Sequence, residues 1–274
     1  MRIHGICLVK NEADIIEETL TKSARWCDAI HVFDTGSTDD TWERVSSLAQ
    51  KFASIHPYKN EVRAFRDELR AEVFNDLRNT ACAGDWWCRL DADEIYIDDP
   101  RQFLAGVPNL HHAVFSASCQ YYFTDKDLAA YEADSALFLS RPAEERLRYY
   151  ECNWSEVRFC RHRPALKWSR TSWPTHIGLA HLRRIRLKHL QYRSPTQIQS
   201  RLATRAEAIR SGYTVFAGYD QAVDWRDKVK RAVDLEYDDG SGSFVVDDCK
   251  LPRLREKPVY RLIKHFMHGT GIWA

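Results

Sequence analysis

The chain of 274 residues contains 44% hydrophobic and 29% charged residues, and its formal net charge is +1. This composition excludes intrinsic disorder, and the length suffices to bury the core of one large domain or of a domain with an appendage. No apolar run approaches the length of a membrane span and no secretory signal is visible, so we expect a cytoplasmic protein. The eight cysteines include no Cys-x-x-Cys pair, so neither a zinc site nor disulfides are predicted.

The first hundred residues alternate between strand and helix patterns. Apolar runs predict buried strands at residues 3–9, 29–33, 55–58 and 86–90. Apolar residues spaced three and four apart predict a helix after each of the first three strands. This alternation indicates an α/β fold with a mostly parallel central sheet flanked by helices on both faces. It is typical of a nucleotide-binding layer.

After Pro100 the pattern changes to strands without long helices between them. We predict a small mixed or antiparallel extension, in which an acceptor site would be built, from the strands Ala113–Cys119, Gln120–Thr124, Ala136–Ser140, Glu156–Arg161 and Ile185–Leu190.

The last part of the chain is predicted to be helical. Ser194 caps a helix that Gly212 ends, and a further helical segment follows. We therefore expect a nucleotide-binding half at residues 1–110, an acceptor-side half at 111–212, and a helical C-terminal extension at 213–274.

The near-zero net charge conceals an asymmetry between two parts of the chain. Residues 1–156 hold 28 acidic residues against 17 Lys and Arg, whereas residues 157–206 hold 12 Lys and Arg and no acid. The basic segment is either a solvated surface or an anion-binding surface. We favour anion binding, because a site for a metal-bound diphosphate needs cations opposite its carboxylates.

The strand that begins at Trp86 ends in three acids within four residues, Asp91, Asp93 and Glu94. In open α/β sheets, ligands bind just outside the C-terminal ends of the strands. Three neighbouring carboxylates repel one another unless a cation lies among them, and hard oxygen ligands select Mn²⁺ or Mg²⁺. The alternative is a solvated turn after the strand. The buried strand in front of the acids favours the metal site.

Asp34 stands at the tip of the second strand, two residues before Gly36. Ser37 or Thr38 can cap the helix that follows, which leaves Asp34 outside the capping pattern. A carboxylate at this position, beside a glycine that lets a ligand approach the backbone, can accept hydrogen bonds from a nucleobase or a ribose. The alternative is a plain turn acid.

Four motifs together resemble the GT-A-fold glycosyltransferases of family 2. They occur over residues 3–98 in the family's order and roughly its spacing, and beyond residue 110 the resemblance is faint. In chain order the motifs are Leu8-Val9-Lys10-Asn11-Glu12, Asp34-Thr35-Gly36-Ser37-Thr38-Asp39, Arg78-Asn79 followed by Ala83-Gly84-Asp85, and Leu90-Asp91-Ala92-Asp93-Glu94.

The resemblance implies a Rossmann-like GT-A fold and a sugar transfer that mostly inverts the anomeric centre. The donor would be a UDP-, dTDP- or GDP-sugar, and the acceptor a saccharide or a lipid-linked saccharide. The Asp-Ala-Asp-Glu form is similar to the branch that builds bacterial lipopolysaccharide cores and other surface polysaccharides.

Individual residues take roles from the matching positions of the family. Asp91 corresponds to the acid that faces ribose and metal, and Asp93 to the acid that binds the divalent ion, Mn²⁺ or Mg²⁺. Asp34 corresponds to the acid that contacts the base. The resemblance assigns to the nucleotide-sugar site Val9, Glu12, Asp34, Arg78 and Asp91.

His189 is predicted as a further metal ligand. Many GT-A enzymes complete the coordination of the ion with a late histidine, and His189 follows Lys188 at the end of a basic strand and precedes a capped helix. The alternative is a histidine that is packed in the strand or lies on the surface.

The catalytic base must come from the acceptor-side half, where acids are scarce. Glu156 enters a strand among aromatic residues and is our first candidate. The alternative for Glu156 is an ion pair with Arg158 or Arg161. His176 is the second candidate, although it lacks the glutamate that often follows this histidine in related enzymes.

Two other functions are considered. A sugar-nucleotide nucleotidyltransferase would share the layer and the metal, but it needs a glycine-rich loop after the first strand, where this chain has Lys10-Asn11-Glu12. A nucleic-acid-binding protein could use the basic segment, but the acidic first half would repel phosphates, so no nucleic-acid partner is expected.

A basic tail at residues 250–264 carries six Lys and Arg with interleaved apolar residues. It either lies peripherally on a membrane surface or packs as a helix against the protein. The sequence leaves both interpretations open.

Overall fold

The computed structural model describes residues 1–169, 171–213, 224–247, 249–251 and 257–273. Its first part contains four strands that pair in parallel. In their order across the sheet these strands are β4 (Trp86–Asp91), β1 (Ile3–Val9), β2 (Ala29–Asp34) and β3 (Ile55–Asn60). Every residue of β1 is buried, as expected for a central strand that is covered on both faces.

Helices cover both faces of this parallel part. They are α1 (Ile16–Ser23), α2 (Thr41–Lys51), α3 (Leu69–Leu77) and α4 (Pro100–Ala105). Val9 belongs to a core cluster with Leu20 of α1 and Val45 of α2. Leu8 belongs to a different cluster, with Phe74 of α3. Because neighbouring residues of a strand point to opposite faces, the two clusters are the two sides of the sheet.

The second part of the chain extends the same sheet. Its central strand, β6, pairs antiparallel with β7 and β8 and parallel with β9. Two short strands, β5 and β10, pair with β9 and β7. The bounds are β5 (Glu94–Tyr96), β6 (Ala113–Tyr121), β7 (Tyr149–Trp154), β8 (Val157–Arg161), β9 (Ile185–His189) and β10 (Glu236–Tyr237).

The antiparallel pairing of β8 with β4 joins the two parts. The expected α/β class, with a parallel central part, helices on its faces and a mixed extension, is confirmed. The boundary predicted at residue 110 lies between α4 and β6, and the strands before and after it belong to one continuous sheet. The division of the chain into residues 1–110, 111–212 and 213–274 stays a prediction.

The remaining helices lie in the second part of the chain. They are α5 (Asp125–Ala133), α6 (Ser135–Ser140), α7 (Ala143–Arg146), α8 (Pro195–Arg210) and α9 (Pro258–Gly269), with 3₁₀ turns at Arg78–Thr80, Trp225–Lys228 and Ala232–Asp234. The predicted cap of α8 is present, because the Ser194 side chain accepts a hydrogen bond from the Gln197 amide. Each helix in these described ranges is too short or too polar to span a bilayer.

The strand predicted at Ala136–Ser140 is wrong, because this segment forms α6. Asp134 caps it by accepting a hydrogen bond from the Leu137 amide. The strand predicted at Gln120–Thr124 is also wrong in part. β6 continues to Tyr121, and Thr124 then starts α5 through a capping box with Asp127. In both places a helix N-cap outweighs the apolar pattern that was interpreted as a strand. The sequence analysis also did not predict β7.

Candidate functional site

A cleft of about 800 Å³ lies where the C-terminal ends of β1 and β4 face the second half of the chain. Glu12, Asp91 and Asp93 line it from the first half, and Glu156 and Arg201 line it from the second. Parallel strands end at the same edge of a sheet, so the turns after β1 and β4 meet there. This is the edge at which the sequence predicts a site.

The turns after β1 and β2 hold each other in place. Asn11 has a left-handed backbone conformation, with φ of 57°, which asparagine tolerates better than most residues. Its amide donates to Ser37 Oγ at 2.9 Å, and its Oδ1 accepts from the Thr38 amide at 2.8 Å. The Glu12 amide donates to Thr41 Oγ1 at 2.9 Å. These bonds fix the position of Glu12 at the cleft.

Asp91, the last residue of β4, is surrounded by guanidinium groups. Its oxygens accept hydrogen bonds from Arg70 and, at 2.8 Å, from Arg158 Nη1. Burial by itself would raise the pKa of Asp91, but the positive charges of Arg89, Arg70 and Arg158 outweigh burial and hold this pKa well below its usual range. Asp91 is therefore ionised and already paired on several sides.

Asp93 is buried, and the cations that face it in the described part of the chain come from the second half. Its Oδ2 lies 2.8 Å from Arg201 Nη1, 3.2 Å from His189 Nε2 and 3.9 Å from Arg193 Nη1. Burial opposes ionisation, but Arg201 and His189 outweigh it and hold the pKa of Asp93 well below its usual value. The pairing of β5 with β9 places Glu94 opposite His189 and so brings this histidine beside Asp93. His189 thus lies close enough to Asp93 for the two side chains to share a metal ion, as its predicted role requires.

Arg193 links the turn after β1 to the segment after β9. It is fully buried, and its guanidinium donates to Glu12, to Asp14 at 2.7 and 2.8 Å, and to the Leu190 carbonyl at 2.8 Å. Arg201 Nη1 lies 3.3 Å from the second oxygen of Glu12. Burial raises the pKa of Glu12 to about 7, although the charge of Arg193 opposes the rise. Glu12 is thus a weakly acidic group in contact with the cations of the cleft.

Glu156 lines the cleft and is also ion-paired. Its Oε1 lies 2.7 Å from Arg158 Nη2 and accepts from Trp154 Nε1 at 3.1 Å, and its Oε2 lies 3.1 Å from Arg89 Nη1. The ion pair that the sequence offered as an alternative is present with Arg158. Arg161 instead donates to backbone carbonyls.

Val9 and Asp34 are paired across β1 and β2. Neither belongs to the described residues that line the cleft. Asp34 Oδ1 accepts from the amides of Gly36 at 2.8 Å and Ser37 at 2.7 Å, as a turn acid does. Its Oδ2 is buried and has no hydrogen-bond partner among the described residues, and burial raises the pKa of this carboxyl. One oxygen holds the turn, and the other keeps its capacity to accept a hydrogen bond.

Arg78 and His176 lie elsewhere. Arg78 donates to the Pro164 carbonyl and stands over the Phe74 ring, 5.6 Å from its centroid. His176 is exposed, and its ring stacks on Trp273 at 4.2 Å between centroids. Among the described residues, those that line the cleft include neither of them. Their predicted roles in nucleotide binding and catalysis therefore gain no support from the geometry.

Among the described residues, two groups of side chains could hold a divalent cation. Asp91, Glu94 and Glu156 each bring a carboxylate oxygen within 4.8 Å of the others. Arg158 donates to all three, so a guanidinium already neutralises this cluster. Asp93 and His189 form the second group, and Nδ1 of this histidine is buried without a hydrogen-bond partner in the described part of the chain. Carboxylate oxygens with an imidazole nitrogen fit Mn²⁺ better than Mg²⁺.

Most of the arginines that pair with the carboxylates were not predicted from the sequence. For Arg201 a signal existed, because Gln197, Arg201 and Arg205 recur every fourth residue of α8 and line the cleft, while Ile198 and Leu202 are buried in the core. The other missed arginines follow no local pattern, since they lie on separate elements that only the fold brings together. They are Arg70, Arg89 and Arg193. Arg158 was expected as a partner of Glu156 but not of Asp91 and Glu94.

No protein-family model matches this chain, and no curated protein matches it either. Similar solved structures include the mannosyltransferase PcManGT from Pyrobaculum calidifontis in complex with GDP-Man and Mn²⁺. Its TM-score is 0.41 and its identity 16%, over 81% of this chain and 72% of that chain. They also include S. aureus TarS 1–349 in complex with UDP-GlcNAc, with a TM-score of 0.34 and 17% identity. That likeness covers 44% of this chain and about a third, 34%, of the TarS chain. With TM-scores below 0.5, these likenesses carry no conclusion about function.

Proposed function

We propose that this protein is a metal-dependent glycosyltransferase of the GT-A, family 2 type. It would move a sugar from a nucleoside-diphosphate sugar to a saccharide or a lipid-linked saccharide. The observation that carries the proposal is the cleft in which Asp91 and Asp93, at the end of β4, meet arginines and Glu156 from the second half. Its volume of about 800 Å³ suits a ligand of this size. The four sequence motifs support the same function.

We assign Asp91, Asp93 and His189 to a divalent cation, Mn²⁺ or Mg²⁺. The donor set of two carboxylates and one imidazole favours Mn²⁺. Such a cation would neutralise the negative charge of the diphosphate as it leaves. Arg201 contacts the same oxygen of Asp93 as His189 does, so this guanidinium would give up that contact if the carboxylate held a cation. Arg201 would then remain at the cleft, where its guanidinium could pair with the diphosphate.

The nucleotide is assigned to the turns after β1 and β2. The free oxygen of Asp34 can accept a hydrogen bond from the base, and Glu12 can accept one from the nucleotide. Val9 fixes this region by accepting two hydrogen bonds from Thr35, one from its amide at 3.0 Å and one from its hydroxyl at 3.1 Å. Arg78 is left out of the assignment because its guanidinium is engaged by the Pro164 carbonyl and the Phe74 ring.

Glu156 is proposed as the base that activates the acceptor. Of the two candidates for the base, it is the one that lines the cleft. Its carboxylate would take the proton of an acceptor hydroxyl while that oxygen forms a bond to the anomeric carbon. The bond from this carbon to the diphosphate breaks with its electron pair, so the nucleoside diphosphate leaves and the anomeric centre inverts. Arg89 and Arg158 orient the carboxylate through the ion pairs described above.

The acceptor is assigned to the second half of the cleft. Trp154, Trp173 and Tyr122 line this side. Flat aromatic faces beside polar groups are suited to hold a sugar ring. With the Asp-Ala-Asp-Glu motif, this supports an acceptor from the synthesis of a cell-surface polysaccharide or of a lipopolysaccharide core.

The test is to incubate the protein with UDP-, dTDP- and GDP-sugars and Mn²⁺ while measuring release of the nucleoside diphosphate. Binding of UDP, dTDP and GDP, with and without Mn²⁺, is measured in parallel. We expect at least one nucleotide to bind tenfold more tightly with Mn²⁺, and its sugar conjugate to be turned over, with EDTA abolishing turnover. Absence of Mn²⁺-dependent binding for all three nucleotides would overturn the proposal. Release of pyrophosphate in a separate incubation with a nucleoside triphosphate and a sugar 1-phosphate would identify a nucleotidyltransferase instead.

A further inference from the structure

Helix α9 rests on the protein by its polar side. Lys264 Nζ donates to the Gly178 carbonyl at 3.3 Å, and the ring of His268 lies 4.9 Å from that of His112. A side chain at Gly178 would overlap His112, so helix and body approach closely at this position. Trp273, just after the helix, stacks on His176. These contacts fix the rotation of α9 about its own axis.

The apolar side of α9 points away from the protein. In helices that pack on a core, the apolar side is the one that is buried. In α9, by contrast, no residue is buried. The exposed apolar side chains, spaced one, three and four residues apart on one side, are Val259 at 59%, Leu262 at 68%, Ile263 at 45% and Phe266 at 62%. We refer to these four residues as the apolar face of α9.

The surroundings of the apolar face are cationic. Residues 257–273 contain Lys257, Arg261 and Lys264 and no acid. The body next to the helix belongs to the acid-free basic segment, and burial together with the charges of Arg163, His268 and Arg161 lowers the pKa of His112 to about 3. An apolar face with cations on the opposite side of the same helix is the pattern of a helix that lies on a surface with apolar chains beneath anionic groups. A second copy of this chain, in a two-fold dimer, would place the same cationic face against itself.

We infer that α9 is an interfacial helix that binds anionic phospholipid surfaces, with its apolar face inserted among the acyl chains. Lys257 and Arg261 then lie at the level of the headgroups. The inference goes beyond the proposed sugar transfer and does not depend on it, because it rests on a helix outside the cleft.

The experiment is co-sedimentation of the full chain with phosphatidylcholine vesicles that contain or lack phosphatidylglycerol. We expect at least tenfold stronger partitioning to the anionic vesicles. Raising the salt from about 0.1 M to about 1 M, which shortens the Debye length from about 10 Å to about 3 Å, should weaken this partitioning. The double substitution Leu262→Asp with Phe266→Asp should reduce it at least tenfold, since it removes the two most exposed side chains of the apolar face.

A matched control carries Leu137→Asp with Val233→Asp, which are 63% and 77% exposed elsewhere on the surface. We expect this variant to bind vesicles as the unchanged chain does. Far-ultraviolet circular dichroism and the thermal midpoint verify that both variants are folded. Equal binding to neutral and anionic vesicles, or unchanged binding of the α9 variant, overturns the inference. The inference is also overturned if the unchanged chain does not bind vesicles and instead forms a dimer in sedimentation equilibrium, and if the α9 substitutions dissociate that dimer.

Discussion

The two halves of the cleft contribute mostly opposite charges, with Arg89 in the first half and Glu156 in the second as exceptions. The first half contributes carboxylates at the ends of strands, Glu12, Asp91 and Asp93, and the second contributes Arg158, Arg193 and Arg201. The acidic and basic parts of the sequence therefore face each other across the cleft. This arrangement shows that the acid-free segment in part neutralises the acids at the strand ends, and is not simply a solvated basic surface.

The two acids of the Asp-Ala-Asp motif differ in where their partners come from. Asp91 pairs with Arg70 and Arg89 of its own half as well as with Arg158. Asp93 pairs only with groups of the second half, among the described residues. The pairs of Asp91 thus hold it within a buried network that includes its own half, beside its proposed role at the cation. Asp93 depends on how the second half is placed, so a ligand that binds between the halves acts first on Asp93.

Removing Arg158 should break the network on which the first half depends. Arg158→Leu leaves Asp91, Glu94 and Glu156 without a shared partner, and removal of one member of a buried ion pair costs about 3–5 kcal/mol of unfolding free energy. Urea unfolding measures this loss. In the control Arg186→Leu, the pair with the partly exposed Asp98 is lost, and less than about 1 kcal/mol is expected. Equal losses would show that burial of Arg158 does not matter.

Asp93 should be needed for catalysis. We expect Asp93→Asn to lower turnover of the sugar nucleotide by about 10³-fold, because a bound metal contributes several kcal/mol to the transition state. The control Asp98→Asn, at a carboxylate that pairs with Arg186 outside the cleft, should keep its activity. Full activity of the unchanged chain in EDTA would contradict the assignment of Asp93 to a metal.

Glu156 should affect turnover without affecting donor binding. A positioned base contributes about 10²–10⁴-fold, so Glu156→Gln should lower turnover at least 100-fold and leave the donor dissociation constant within about twofold. Glu151→Gln, which breaks an exposed pair with Lys250, is the control. His176→Gln should also retain activity, since this ring packs on Trp273. If it does not, the role of base moves to His176.

The parallel part of the fold was predictable because its signals are local. The apolar run of β1 and the spaced apolar residues of α2 indicate which side chains are buried, and no knowledge of the elements packed against them is needed. In the second half the same approach failed at α6, where a short apolar segment fits a strand as well as a helix. There, the cap at Asp134 decides the structure.

The candidate site was predictable where chemistry follows a strand end, and not where it depends on distant contacts. Asp91 and Asp93 could be found because three acids follow a buried strand. Arg70 and Arg193 could not, since each is a single arginine whose partners are fixed only by the tertiary fold. The proximity of His189 to Asp93 was expected from the resemblance, and it requires the pairing of β5 with β9, which no local pattern reveals.

Substitution of Arg201 should change the affinities for metal and for donor in opposite directions. This effect is the smallest of those predicted, and it tests the contrast between the two halves most directly. Arg201→Gln removes the guanidinium that contacts Asp93 and Glu12, so Mn²⁺ meets a more negative site without a competitor. We expect its affinity for Mn²⁺ to rise severalfold in titration calorimetry. The affinity for the nucleoside diphosphate should fall about tenfold, because one charge-assisted hydrogen bond to the diphosphate is lost. The control Arg210→Gln changes an exposed arginine of the same helix and should alter neither affinity.

Opposite shifts in the affinities for metal and nucleotide would establish that Arg201 exchanges between Asp93 and the diphosphate. A parallel loss of both would mean that Arg201 only holds Asp93 in place, and the cations of the second half would then serve structure rather than the ligand.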